Sequence, residues 1–262
     1  MTYMIWVTKK KVTPYSALAP IYDRVMAHVN YKRWAAYIDE IVSRFRPASH
    51  WIVDLSCGTG TLCLLLEKYG YSVTGLDSSK AMLLQAARKI SINQNRFICA
   101  DLCSLPIAEQ PDVVISLYDS MNYLLNTKMW RKCLSDIFHV LKDGGLFIFD
   151  VSTLFNSRKD FSRYVHKETF WGGSYFRKST FDKKNNVQIN YFEIKLANKP
   201  KTIFCETHHQ RIRRLDEIVQ FVDASPFSLL AGYKDFTFKP YSETCERVHF
   251  VLKKSDQHVR TS

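Results

Sequence analysis

No apolar run in this 262-residue chain approaches the roughly 20 residues that a membrane span needs. A membrane-crossing helix is therefore not expected. Internal repeats and low-complexity tracts are also missing, which sets aside repeat architectures. The opening stretch MTYMIWVTKKKV places its charges after its few apolar residues, the reverse of a signal peptide, so a cytoplasmic protein is expected. There are seven cysteines but no C-x-x-C pair, and they are scattered through mostly apolar contexts. That pattern speaks for buried thiols rather than a zinc site, and no metal is expected. Acid is scarce beside base, with 25 Asp and Glu against 37 Lys and Arg.

The 46% hydrophobic content supplies a full core. From Trp51 to Val151, short apolar runs (WIVDL, YSVTGLD, RFICAD, DVVISLY, GLFIFDV) alternate with amphipathic stretches such as SSKAMLLQAARKI and TKMWRKCLSDIFHVLKDGG. Alternation of this kind predicts a parallel sheet built by right-handed crossovers and covered on both faces. After Val151 the helical period disappears. About three β-rich runs between Lys167 and Arg213 predict an antiparallel insertion, and a helix over RLDEIVQFVDASP follows it. Two strands, DFTFKPY and ERVHFVLKK, are expected to return the chain to the sheet. The segment before Trp51 reads as a helical cap. The expected organisation is a cap over 1–50, a core over 51–157 and 215–262, and an insertion over 158–214.

Ligands of open α/β sheets sit at the carboxyl ends of the strands, beside the first strand. DLSCGTG lies there, with Asp54 ending the strand and Gly58-Thr59-Gly60 turning into the next helix. Asp77 ends the second strand, placed to accept hydrogen bonds from both hydroxyls of a ribose. Asp101 ends the third, where it can take an adenine amino group while the Leu102 N–H meets a ring nitrogen. A nicotinamide-binding domain would want a third small residue where Cys63 stands, and an acid at Asp54 is foreign to its fingerprint.

Asp54–Gly60, Asp77, Asp101-Leu102 and YDSMNYL together resemble the class I S-adenosylmethionine-dependent methyltransferases. More narrowly they are similar to a small-molecule-type subgroup with a Y-D-S-x-N-Y-L fourth motif. YSALAPIYDRVM and ETHHQR extend the resemblance to nearly the whole chain. The resemblance implies a Rossmann-like α/β fold with a seven-stranded, mostly parallel sheet plus the inserted antiparallel sheet. It implies S-adenosylmethionine as cofactor, approached by Asp54, Ser56, Cys57, Gly58, Thr59 and Gly60. Asp77 would hold the ribose, Asp101 and Leu102 the adenine, and Leu117 and Tyr118 the amino-acid end, with Ser78 and Met82 also among the cofactor-binding residues. Tyr22 and Trp34 would close over it from the cap. The usual loop has a glycine or alanine where Ser56 stands.

Methyl transfer from a sulfonium needs alignment and exclusion of water, and a base only when the acceptor loses a proton. Asp119, Glu206, His208 and Tyr15 are candidates. Glu206, His208 and Gln210 share one face of a strand, opposite Thr207, His209 and Arg211, and either face can be the inward one. The chain carries +12, and residues 151–214 hold roughly fourteen Lys and Arg against five acids, from Arg158, Lys159 and Arg163 through Arg177 and Lys178 to Arg213 and Arg214. A small-molecule acceptor, anionic in one version, and an RNA-directed enzyme or RNA-binding relative are both consistent with that excess. A solvated strand face with lysines guarding an edge is equally consistent with it. Lys9–Lys11 reads as a mobile tail.

Overall fold

The computed structural model describes residues 7–89 and 96–255. In chain order the elements begin with strand β1 (Thr8–Lys11), α1 (Tyr22–Val25) after a short 3-10 turn, α2 (Tyr31–Phe45), β2 (Trp51–Asp54) and α3 (Thr61–Glu67). Next come β3 (Ser72–Asp77), α4 (Lys80–Lys89), β4 (Phe97–Cys99), β5 (Val113–Ser116), α5 (Thr127–Val140), β6 (Leu146–Ser152) and α6 (Leu154–Lys159). Strands β7 (Arg163–Phe170), β8 (Gly173–Asp182), β9 (Val187–Leu196) and β10 (Thr202–Arg211) form the insertion, followed by α7 (Leu215–Asp223), β11 (Phe227–Lys234) and β12 (Arg247–Lys254). Ile90, the last residue of the amphipathic stretch SSKAMLLQAARKI, and residues 1–6 lie outside the described residues.

One sheet has seven strands in the order β11-β12-β6-β5-β2-β3-β4. Strands β2 to β6 pair in parallel, while β12 and β11 run antiparallel at one edge. Period-two alternation divides the core cleanly. Val53, Phe147 and Phe149 pack against Trp130 and Ile137 of α5 and Ile218 and Phe221 of α7. Ile52, Leu146 and Ile148 point the other way, against Ile38 and Ile41 of α2 and Leu62 and Leu66 of α3. Ile38 and Ile41 are fully buried, and each contributes about 1.5–3 kcal/mol on burial. The switch point lies between β2 and β5, where crossovers leave in opposite directions.

The second sheet runs β1-β10-β9-β8-β7. Four inserted strands form it, one more than expected, and β1 adds a fifth in parallel to β10. Lys9–Lys11 is therefore a paired edge strand and not a loose tail, with Lys9 ion-paired to Glu193. Its four residues are all exposed, so no hydrophobic alternation announces it. The penultimate strand is Phe227–Lys234, and DFTFKPY forms the turn after it. A third apolar cluster joins Leu18, Ile21, Val25 and Met26 of the N-terminal segment to Tyr175, Phe192, Ile194 and Phe204 of the inserted sheet. Among the described residues no helix is long and apolar enough to cross a membrane.

Candidate functional site

Two cavities, each of about 630 Å³, lie side by side above the carboxyl ends of the parallel strands. They share a wall of four phenols, Tyr15, Tyr22, Tyr118 and Tyr123. The first cavity is lined by Ser56, Gly58, Asp77, Ser78, Met82, Asp101, Leu102, Leu117 and neighbouring residues. The second is roofed by the inserted sheet and reaches Asp119, Arg177, Asn190, His208, Gln210 and Arg247.

The floor of the first cavity is the loop after β2. Gly58 and Gly60 hold φ of +55° and +72°, where glycine is at ease. A Cβ on Gly60 would stand 2.8 Å from the Phe97 ring and 3.1 Å from Ala86, so that glycine also lets α4 and β4 close in. Ser56 is absent from the positive-φ residues, which is why a serine serves there without spoiling the turn. Asp77 accepts from the Gly58 N–H at 2.9 Å and from the Ser79 N–H at 2.8 Å, one bond per carboxylate oxygen. Each oxygen keeps a lone pair that the loop does not use, and Asp77 lines the cavity. Burial raises the Asp77 pKa above the usual carboxylate value, opposed by those two N–H groups. Asp101 accepts from the Cys103 N–H at 2.8 Å through one oxygen, leaving the other to the cavity.

Five residues expected at the cofactor stand behind this lining. Asp54 is 2% exposed and accepts from the Ser56 N–H at 3.2 Å, supporting the loop from beneath. Cys57 is buried, and its N–H donates to the Leu76 carbonyl at 2.9 Å. The Thr59 hydroxyl bonds to Asp23 and receives Lys89 Nζ at 2.9 Å, tying the loop to α1. Gly60 begins α3. Trp34 is 4% exposed and packs edge-on to Phe236 with centroids 4.7 Å apart, on the buried face of amphipathic α2. It lines neither cavity, whereas Tyr22 lines both.

Burial pushes the Asp54 pKa up to about 7 from 3.8. Because the folded value is the higher one, this carboxyl favours folding most below about pH 4, and that contribution is lost as pH rises toward 7. His249 opposes it in the same window, since burial lowers its pKa from 6.5 to about 3 and acid then costs stability. Comparison with Asp54→Asn isolates the carboxyl. Melting temperatures should drift in favour of the variant as pH rises from 4 to 7, and parallel profiles would refute this.

The face ambiguity in β10 is resolved: Glu206, His208 and Gln210 point inward, and Thr207 and His209 are exposed. Glu206 cannot serve as an open base. Its carboxylate accepts the N–H groups of Tyr15 (2.8 Å), Ala17 (2.6 Å) and Leu18 (2.9 Å), and meets His208 Nε2 at 3.0 Å. His208 Nδ1 lies 3.0 Å from the Tyr123 hydroxyl, which is 2.7 Å from the Tyr15 hydroxyl. The tautomer consistent with both contacts has Nε2–H donating to Glu206 and Nδ1 accepting from Tyr123. Asp119 is clamped by Arg247 Nη2 at 2.8 Å and Gln210 Nε2 at 2.7 Å, and makes no side-chain cap on the turn that follows. Burial raises the pKa of Tyr15, Tyr22 and Tyr123 well above the usual phenol value and that of Tyr118 to about 12, so these groups stay protonated at neutral pH. Tyr15, Tyr118 and Asp119 all have positive φ, at a cost of about 1–3 kcal/mol each. Such strain gathers where the two cavities meet.

Sequence reasoning gave no role to Tyr123, Asn190 or Gln210, and counted Arg177 only as one of the fourteen basic residues of 151–214 whose excess is consistent with an anionic acceptor. For Arg177, Asn190 and Gln210 the signal is strand alternation and register: Ser179 pairs with Asn190, and Asn190 with His208, which places one polar file on the inner face.

A family profile described as a methyltransferase domain matches residues 52–145. YqeM of Bacillus subtilis, whose methyltransferase name is provisional, is 30% identical over 244 residues, covering 92% of this chain and 97% of its own. A provisionally named methyltransferase of Geobacillus sp. strain WCH70 is 29% identical over 246 residues, with 92% and 99% covered. An S-adenosylmethionine-dependent methyltransferase structure from Clostridium acetobutylicum superposes with a TM-score of 0.78 at 23% identity, over 92% of this chain and 99% of that one.

Proposed function

Because the chain belongs to the class I S-adenosylmethionine-dependent methyltransferases, we propose that this enzyme methylates a small molecule held in the cavity beneath the inserted sheet. The observation that carries this reading is the pair of metabolite-sized cavities meeting at one wall of tyrosines. The comparisons give the RNA-directed alternative no support. Three of the fourteen basic residues of 151–214 are paired with acids beyond that segment, Arg213 with Glu217, Arg214 with Asp216 and Lys159 with Glu246. Seven free thiols suit the reducing cytoplasm, where we place the reaction.

The lining fits S-adenosylmethionine. When bound, that cofactor supplies an electrophilic methyl group on a positively charged sulfur. In this reading Asp77 takes the ribose hydroxyls with its remaining lone pairs, while Asp101 and the Leu102 N–H take the adenine. Ser56, Gly58, Ser78 and Met82 shape the floor, and Leu117 and Tyr118 flank the amino-acid end. Asp54, Cys57, Thr59, Gly60 and Trp34 act through the loop and cap they hold. His208 is the base for an acceptor that loses a proton: Tyr123 takes that proton on oxygen as it passes its own to His208 Nδ1. Glu206 then faces the resulting imidazolium and stabilises it. Asp119 stays in its clamp with Arg247 as part of the wall.

A crystal structure with S-adenosylhomocysteine tests the assignment of the cavities. The expected density places the adenosine between Asp77 and Asp101 and the sulfur at the tyrosine wall. Density in the cavity beneath the inserted sheet would reverse the assignment and end this reading.

A further inference from the structure

We propose that the acceptor carries an anionic oxygen group, a carboxylate or phosphate, and binds it through Arg177; this rests on the small-molecule methyltransferase reading above. Arg177 stands mid-strand on β8, half-buried in the wall of the second cavity. Every other arginine of that cavity has a carboxylate. Arg24 pairs with Glu168 at 2.6 Å, and Arg247 pairs with Asp119 at 2.8 Å and with Asp150. Among the described residues Arg177 enters no ion pair. Its Nε donates to the Ser179 hydroxyl at 3.2 Å, and its Nη2 donates to the Asn190 amide oxygen at 3.0 Å.

Those partners are neutral, and they use two of the five N–H groups of a guanidinium. The unused ones are both N–H groups of Nη1 and one of Nη2. Together they form the end-on fork that matches two oxygens of a carboxylate or phosphate. The cation is steadied by rings rather than neutralised, with Phe161 and Tyr164 centroids each 5.2 Å from its Cζ and that of Phe192 at 5.5 Å. A polar chain fixes its position: Asn190 donates to Gln210 at 3.2 Å, and Gln210 donates to Asp119 at 2.7 Å. A half-buried charge with no counter-ion is costly to hold. A ligand that brings the missing negative charge recovers that cost, and a neutral one does not. Arg177 lines the same cavity as Tyr118 and Tyr123, whose hydroxyls burial keeps protonated against the pull of its charge. An anion seated there anchors one end of the acceptor beneath the sheet while the other end reaches the wall.

The test is calorimetric titration of the enzyme saturated with S-adenosylhomocysteine, using benzoate, phenyl phosphate and benzamide as probes. At least one anion should bind at least about tenfold more tightly than benzamide, the worth of one charge-assisted pair. The tighter of the two anions identifies the oxygen group. Arg177→Gln should lower that affinity at least about tenfold while leaving S-adenosylhomocysteine binding at the parent value. Arg177→Lys keeps the charge without the fork and should fall between them. Arg163→Gln, which removes an exposed charge on β7, should change nothing. Equal binding of benzamide, anion binding untouched by Arg177→Gln, or no binding of either anion would each overturn the proposal. Failure of S-adenosylhomocysteine itself to bind would remove the reading beneath it instead.

Discussion

Glu206→Ala should cost about 3–5 kcal/mol of folding stability, the largest loss expected from a single polar side chain in this protein. Its carboxylate is fully buried and accepts three backbone N–H groups from Tyr15, Ala17 and Leu18 while it orients His208. Alanine leaves those donors without partners in a place water does not reach. The damage is also local to function, because Tyr15 and Leu18 line the cavity beneath the inserted sheet and Tyr15 lines both cavities. Glu206→Gln should lose less: its amide keeps one accepting oxygen but turns an NH2 toward N–H groups that need an acceptor. Urea unfolding gives the free energies, and limited proteolysis should show earlier cleavage near residues 13–18 in the alanine variant. An alanine variant within about 1 kcal/mol of the parent would show that the carboxylate is not the anchor of the N-terminal segment.

The same residue shows where sequence reading stops. Spacing along β10 put Glu206, His208 and Gln210 on one face, and their type suggested acid–base chemistry. Only the docking of residues 15–18 onto that face reveals that Glu206 spends its charge on backbone donors 188 to 191 positions away. The parallel sheet was legible because each of its buried strands is nearly continuous in apolar residues, as in β6, where all seven residues are buried. Strand β1 was not legible: TKKK has no apolar face, and its partner is almost 200 residues away. Strand β7 was merged with its neighbour for a related reason, since most of RYVHKETF is exposed or half-exposed at the sheet edge. Trp34 and Tyr22 looked equivalent on the cap. Helix packing separates them, because α2 turns Trp34 onto Phe236 and His249 while the short α1 leaves Tyr22 beside Gly58 of the loop. In the loop after β2, the spacing of Gly58 and Gly60 carried its own physical reason, and the positive φ at both shows that glycine is needed there and not at Ser56.

Asp77 concentrates the account into one side chain. It ends β3 at the edge of the first cavity, fixes the loop through Gly58, and fixes the start of α4 through Ser79. In the proposed function it also receives the ribose hydroxyls. Asp77→Ala removes both roles together, and two charge-assisted bonds lost correspond to at least about a hundredfold in affinity. Asp77→Asn keeps the shape and one accepting oxygen, and should fall between the alanine variant and the parent. The measurement is calorimetric titration with S-adenosylhomocysteine of the parent and both variants, after unfolding curves have shown that each is folded. Saturable binding to the parent is expected, with weaker binding to Asp77→Asn and a loss of about a hundredfold or more in Asp77→Ala. A folded Asp77→Ala protein that binds as tightly as the parent would contradict this expectation.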